Sequence, residues 1–143
     1  MLKGIPSILQ PELLKILMEM GHGDEIVISD GNFPAAANAQ RLVRCDGGGV
    51  IPVLDAILKL MPLDSYSKFQ ASLMQVVPGD PYVPVIWKDY ENIIKTYEPV
   101  HHQIENVERF AFYERAKKAY AVVSTSETAL YANIILRKGV VTE

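Results

Sequence analysis

Only one cysteine, Cys45, occurs among the 143 residues, so the chain cannot form a disulfide within itself. A lone thiol fits a reducing compartment. Long hydrophobic runs are missing as well, since no apolar stretch approaches the ~20 residues of a membrane-spanning helix. Near the N-terminus Lys3 precedes apolar residues as in a leader, but Pro11, Glu12, Lys15 and Glu19 interrupt the run. A cytoplasmic location is expected on these grounds. Charge of one sign is not in excess either: 14 basic residues face 17 acidic ones, for a formal charge of −3. That balance carries no footprint of a nucleic-acid binder. The basic cluster Arg115, Lys117 and Lys118 falls in a helical pattern, where it reads as a solvated face.

Several chemical signatures are also absent. There is no C-x-x-C or H-E-x-x-H spacing for a metal, no G-x-G-x-x-G or Walker lysine for a nucleotide, and no G-x-S-x-G for a serine nucleophile. His101 and His102 are adjacent, so an extended backbone would point them to opposite faces, and a surface loop suits them better than a metal site. Cys45 lacks an activating neighbour in sequence and reads as a buried structural thiol.

What is present is apolar residue in quantity, 49% of the chain, enough for a hydrophobic core. The length suits one compact domain over residues 1–143, within the roughly 100–150 residues usual for single domains. Helical spacing of apolar residues predicts helices over Pro11 to Met20, Val50 to Met61, Pro84 to Tyr97 and Phe110 to Ala119. Gly21 is expected to stop the first helix in a left-handed conformation. Strands are expected at Glu25 to Ser29, Leu42 to Cys45, Ser72 to Val77, Ile104 to Val107, Ala121 to Ser124 and Asn133 to Arg137. Their alternation with helices predicts an α/β fold, a three-layer α/β/α sandwich around a mixed, largely parallel sheet. The short connection between the last two strands argues for an antiparallel part.

The candidate chemistry begins at His22, between Gly21 and Gly23 and just before a strand. Glycines on both sides leave the ring approachable, and an imidazole with an unperturbed pKa near ~6.5 exchanges protons at neutral pH. A helix-terminal histidine interacting with the dipole is the other reading. Asp30 ends the same strand, where α/β sheets bind ligands, although aspartate before glycine also makes an Asx-turn. Five strand residues span roughly 17 Å, so His22 and Asp30 fall at opposite ends. Joining them requires the glycine loop to fold back or a second subunit to complete the pocket. Asp46-Gly47-Gly48-Gly49 reads as a tight strand-to-helix turn more readily than as an anion cradle. Arg109 opens a helix, where the macrodipole disfavours a cation, which suits a ligand-binding role or a pair with Glu105 or Glu108. Tyr131-Ala132-Asn133 leads into the last strand and suits either a hydroxyl-rich ligand or an ordinary turn.

Pro11-Glu12-Leu13-Leu14, the run Met20 to Ile26 and Ser29-Asp30 together resemble the N-terminal signature of the ribose pyranase/fucose mutarotase (RbsD/FucU) family. Arg109 to Ala116 and Tyr131 to Val140 resemble its fucose mutarotase branch, and the likeness runs over nearly the whole chain. The stretch Leu63 to Glu98 follows the pattern only loosely. The resemblance implies a cofactor-free enzyme that interconverts α and β anomers of a free sugar, L-fucose above all. It assigns the proton donor to His22 and substrate binding to Asp30, Arg109, Tyr131, Ala132 and Asn133. It also implies ring-based homo-oligomers, often decamers, with active sites near subunit contacts. Asn32 stands where the family often has histidine, and Ala132 where it has glycine. Arg109, at a position where the ribose branch tends to carry histidine, favours the fucose branch. Competing readings are a D-ribose pyranase, a non-catalytic sugar-binding module for uptake or regulation, and a metal-dependent sugar isomerase.

Overall fold

The computed structural model describes residues 1–142. In chain order these residues form α1 (Pro11–Glu19), β1 (Glu25–Ser29), α2 (Ala35–Asn38), β2 (Leu42–Cys45), α3 (Val50–Leu60) and β3 (Ala71–Met74). They continue with α4 (Ile86–Tyr97), β4 (Ile104–Val107), α5 (Arg109–Lys118), β5 (Ala121–Thr125) and β6 (Ile134–Arg137). The strands make one six-stranded sheet in the order β2-β5-β1-β6-β3-β4. Pairings β1 with β5, β2 with β5 and β3 with β4 are parallel. β6 runs antiparallel to both neighbours, β1 and β3. The sheet is therefore mixed as expected, but β5 and β6 are not partners, because β1 lies between them.

Side-chain alternation divides the core into two layers. Ile26 and Ile28 of β1 face α1, α3 and α4 together with Val43, Leu73, Val123, Ile134 and Leu136. Val27 points the other way, joining Val122, Met74 and Ile135 against Phe33, Ala35, Phe112 and Ala116 of the α2 and α5 side. Both faces of β1 are thus buried, which is why its sequence Glu-Ile-Val-Ile-Ser shows no polar alternation. Each fully buried Ile or Leu contributes roughly 1.5–3 kcal/mol.

Two local expectations change. The first helix ends with Met20 in extended backbone, and Gly23, not Gly21, takes the left-handed conformation (φ 86°). The Gly21 amide instead donates to the Asp24 carboxylate at 2.7 Å, which closes the turn that presents His22. The single-turn helix α2 escapes sequence reading because Ala-Ala-Ala-Asn offers no periodicity.

Helix α5 carries few buried residues, Phe112 and Ala116. Its register is held by Arg115, whose guanidinium pairs with Glu25 of β1 and Glu105 of β4 and donates to Ser72 of β3. Glu108 caps the helix by accepting from the Phe110 and Ala111 amides, both at 3.0 Å. The negative cap offsets the dipole at the point where Arg109 begins the helix.

Candidate active site

The carboxyl ends of β1 and β3 and the amino end of β6 open into a cavity of about 240 Å³. Asp30, Arg109, Tyr131 and Asn133 all line it. Asp30 after β1, Arg109 at the start of α5, and Tyr131 and Asn133 in the turn before β6 therefore converge from three parts of the chain.

Asp30 is buried, and its Oδ1 accepts from the backbone amides of Asn32 and Phe33, each at 3.0 Å. This is the Asx-turn, and the same residue also lines the cavity. Burial pushes the Asp30 carboxyl above the ordinary range, against amide hydrogen bonds from Asn32, Ala132 and Phe33 that pull it down. The Asp30 amide donates to Asn133 Oδ1 at 2.8 Å. With that oxygen engaged, the Asn133 amide nitrogen is the group left to donate into the cavity.

Arg109 lies across the cavity from the sheet, its guanidinium 5.5 Å from the Phe110 ring centre and 5.7 Å from that of Tyr113. The acids considered as its partners are engaged elsewhere, Glu108 as the helix cap and Glu105 with Arg115. Tyr113 and Phe33, in edge-to-face contact at 5.6 Å, wall the same side. The Tyr131 hydroxyl donates to Asp80 Oδ2 at 2.6 Å, and its ring stacks on Tyr82 at 5.9 Å. That hydrogen bond holds the Asp80 carboxyl below its usual range. Ala132 is fully buried, its methyl in the core, and its carbonyl accepts from the Tyr90 hydroxyl at 2.8 Å. It shapes the turn and does not line the cavity.

His22 is elsewhere. It sits at the amino end of β1, where Gly23 and Asp24 bond to Lys138 after β6. Its Nε2 lies 2.9 Å from Asp64 Oδ1, and its ring is 5.5 Å from that of Tyr66. Asp64 is buried and also accepts from Ser67 Oγ and, at 3.0 Å, the Tyr66 amide. Burial raises the Asp64 carboxyl, but the hydrogen bonds from Ser67, His22 and the Tyr66 amide prevail and leave it below the ordinary range. An ionised Asp64 makes Nε2 the donating nitrogen, so Nδ1 is the one left to exchange a proton with a ligand. The histidine remains about half exposed, 47% of its side chain.

Sequence reading passed over Asp64, Tyr113 and Asp80. Asp64 carried a signal, an aspartate three residues before Ser67 in a post-proline turn. Tyr113 and Asp80 carried none apart from their neighbourhoods. The Asp46-Gly47-Gly48-Gly49 turn is no anion cradle, because the Glu127 carboxylate occupies the start of α3 and accepts from the Val50 amide at 3.2 Å. A Cβ on Gly49 would meet that carboxylate, the movable end of a flexible side chain. Cys45 is half-buried, and burial raises its thiol. His102 Nδ1 bonds the Glu98 carbonyl at 2.9 Å. Among the described residues no cluster of three or more His, Cys, Asp or Glu side chains is close enough to hold a metal ion.

The chain is similar to known proteins over nearly its whole length. The human fucose mutarotase is 52% identical, with 97% of this chain and 94% of that protein covered. An L-fucose mutarotase of Actinobacillus pleuropneumoniae is 50% identical over 98% and 97% of the two chains. The fucose mutarotase of Streptococcus pneumoniae, solved with L-fucose, is 54% identical and superposes with a TM-score of 0.94, covering 99% of this chain and all of that one. Residues 3–141 match the model of the RbsD / FucU transport protein family, and the chain belongs to that family.

Proposed function

We propose that this protein is a mutarotase interconverting the α and β anomers of L-fucose, with Asp30, Arg109, Tyr131 and Asn133 as the sugar-binding groups. The carrying observation is the convergence of a buried acid, a cation, a phenol and an amide on one small cavity. Such a set matches a ring of hydroxyls, each of which both donates and accepts. Support for L-fucose comes from the S. pneumoniae protein solved with that sugar and 54% identical in sequence.

Ring opening removes the anomeric O–H proton, breaks the bond between C1 and the ring oxygen, and delivers a proton to that oxygen. The aldehyde then rotates about C1–C2, and closure on its other face returns the opposite anomer. The anomeric proton goes to water or a second side chain and returns on closure, so atoms and oxidation states balance without a redox partner. Protonated His22 is the general acid, giving its Nδ1 proton to the ring oxygen while Asp64 holds the ring through Nε2. Asp30 and Arg109 hold hydroxyls by charge-assisted hydrogen bonds. The Asn133 amide completes the orientation, and Ala132 contributes backbone only.

His22 and the cavity belong to opposite ends of β1, so the His22 that reaches a given sugar comes from a second copy of the chain. This separation supports an assembly with shared sites, which we take to be a cytoplasmic ring-based homodecamer. Exposed apolar side chains, including Tyr66 beside His22 and Phe110 beside Arg109, supply surface for such contacts.

Saturation-transfer NMR on L-fucose and D-ribose, side by side, tests the activity. Faster anomer exchange for L-fucose is expected, with D-ribose far less affected. Binding of L-fucose without any acceleration would leave a non-catalytic sugar-binding protein instead.

A further inference from the structure

Among the described residues, Tyr131 is the non-glycine residue with a left-handed backbone, φ 55°. That conformation costs free energy for any residue with a Cβ, so it persists only where surrounding groups enforce it. The enforcing groups are two side chains of α4. Trp87 Nε1–H donates to the Tyr131 carbonyl at 2.7 Å. The Tyr90 hydroxyl donates to the next carbonyl, that of Ala132, at 2.8 Å. Trp87 and Tyr90 stand three residues apart and so share one helix face. Tyr90 is fully buried, and neither residue lines the cavity.

We infer that Trp87 and Tyr90 are positioning residues of the sugar pocket, holding the Tyr131–Ala132 turn in the conformation that aims its neighbours at the ligand. The inference rests on the cavity being the sugar site, as proposed above. Two consequences of the turn make the link. It sends the Tyr131 phenol to Asp80. It also sets Asn133, whose Oδ1 receives the Asp30 amide. If a carbonyl loses its donor, Tyr131 is free to relax toward the ordinary region. The phenol, Asn133 and the Asp30 turn then move together.

The test uses Tyr90→Phe, which deletes one oxygen, and Trp87→Phe, in the full assembly. In each, the KM for L-fucose should rise about fivefold or more while the protein remains folded, as expected when a bound geometry is loosened. The double variant should be little worse than the worse single one, because both act through one turn. A fall in Tm with KM and kcat unchanged at 25 °C would mean a purely structural role and overturn the inference.

Trp87 is the chain's sole tryptophan, so its indole N–H gives one resonance. Its hydrogen exchange should be about tenfold faster in Tyr90→Phe than in wild type, since local opening governs exchange. Unchanged exchange overturns the coupling. This reading needs no sugar, so it stays valid if wild-type protein fails to turn over L-fucose, which would sink the proposed function alone. Should both variants fail to fold, the wild type decides: saturating L-fucose slows the indole exchange if the turn serves the pocket, and leaves it unaltered if not.

Discussion

His22 and Asp30 stand at opposite ends of the same strand, one bonded to Asp64 and the other turned into the cavity beside Arg109. The five residues of β1 between them keep them roughly 17 Å apart. Within one chain, then, His22 and the cavity that Asp30 lines stand apart at the two ends of one strand.

A mixing experiment examines the consequence. His22→Ala and Arg109→Ala should each be nearly inactive alone, with a loss of about 10²-fold or more for the histidine. Co-assembled in equal amounts, they should regain about a quarter of wild-type activity, because random pairing in a symmetric oligomer leaves that share of sites intact. No recovery in verified mixed assemblies would place each complete site within a single chain.

Acid stability should report on Asp64. Its hydrogen bonds hold the folded carboxyl below its usual range, so its stabilisation is present above the unfolded value of ~3.9. It is lost as pH falls through the lower folded value. Denaturant titrations across this acid range should show a shallower decline for Asp64→Asn than for wild type. Parallel curves for the two proteins would contradict the assignment.

Asp30 has the opposite sign. Burial raises its folded value, so its contribution is present below ~3.9 and is lost as pH rises through that raised value. Asp30→Asn keeps an oxygen for the Asn32 and Phe33 amides but carries no charge to bury. At pH 7 its Tm should equal or exceed that of wild type, while its KM for L-fucose rises about tenfold through loss of a charge-assisted bond. A clear loss of stability at neutral pH would refute the burial account.

Gly139 meets the backbone of Leu63, whose carbonyl lies where a Cβ would project. Its amide also donates to the Pro62 carbonyl at 2.8 Å. This junction sets the Asp64 loop beside His22. Gly139→Ala should destabilise the protein by about 1–3 kcal/mol, as overpacking does, visible as a lowered Tm. A variant as stable as wild type would show that the loop can retreat freely.

Much of the fold was readable from particular residues. Buried β-branched runs such as Ile26-Val27-Ile28 and the helical spacing of Val50, Val53, Leu54 and Ile57 mark their elements directly, because both patterns are local. The segment over Ser72 to Val77 proved shorter at its far end, and the strand stops at Met74 where the chain bends over the cavity. Strand order was not readable. β6 inserts between β1 and β3, although β5 precedes it in sequence, and only packing of both faces decides that.

For the site, residue types and family likeness were enough to single out Asp30, Arg109, Tyr131 and Asn133, since their motifs are contiguous in the chain. By itself the sequence determined the α/β pattern, through local periodicity, and the separation of His22 from Asp30 along an extended strand, through a rise of ~3.3 Å per residue, while the candidates came from residue types and the family likeness. Tertiary structure alone decided that Asp64 holds His22, that Glu127 fills the start of α3, and that α4 enforces the Tyr131 turn. Those contacts join residues dozens of positions apart, and a hydrogen bond between such residues exists only once the sheet has brought their ends together.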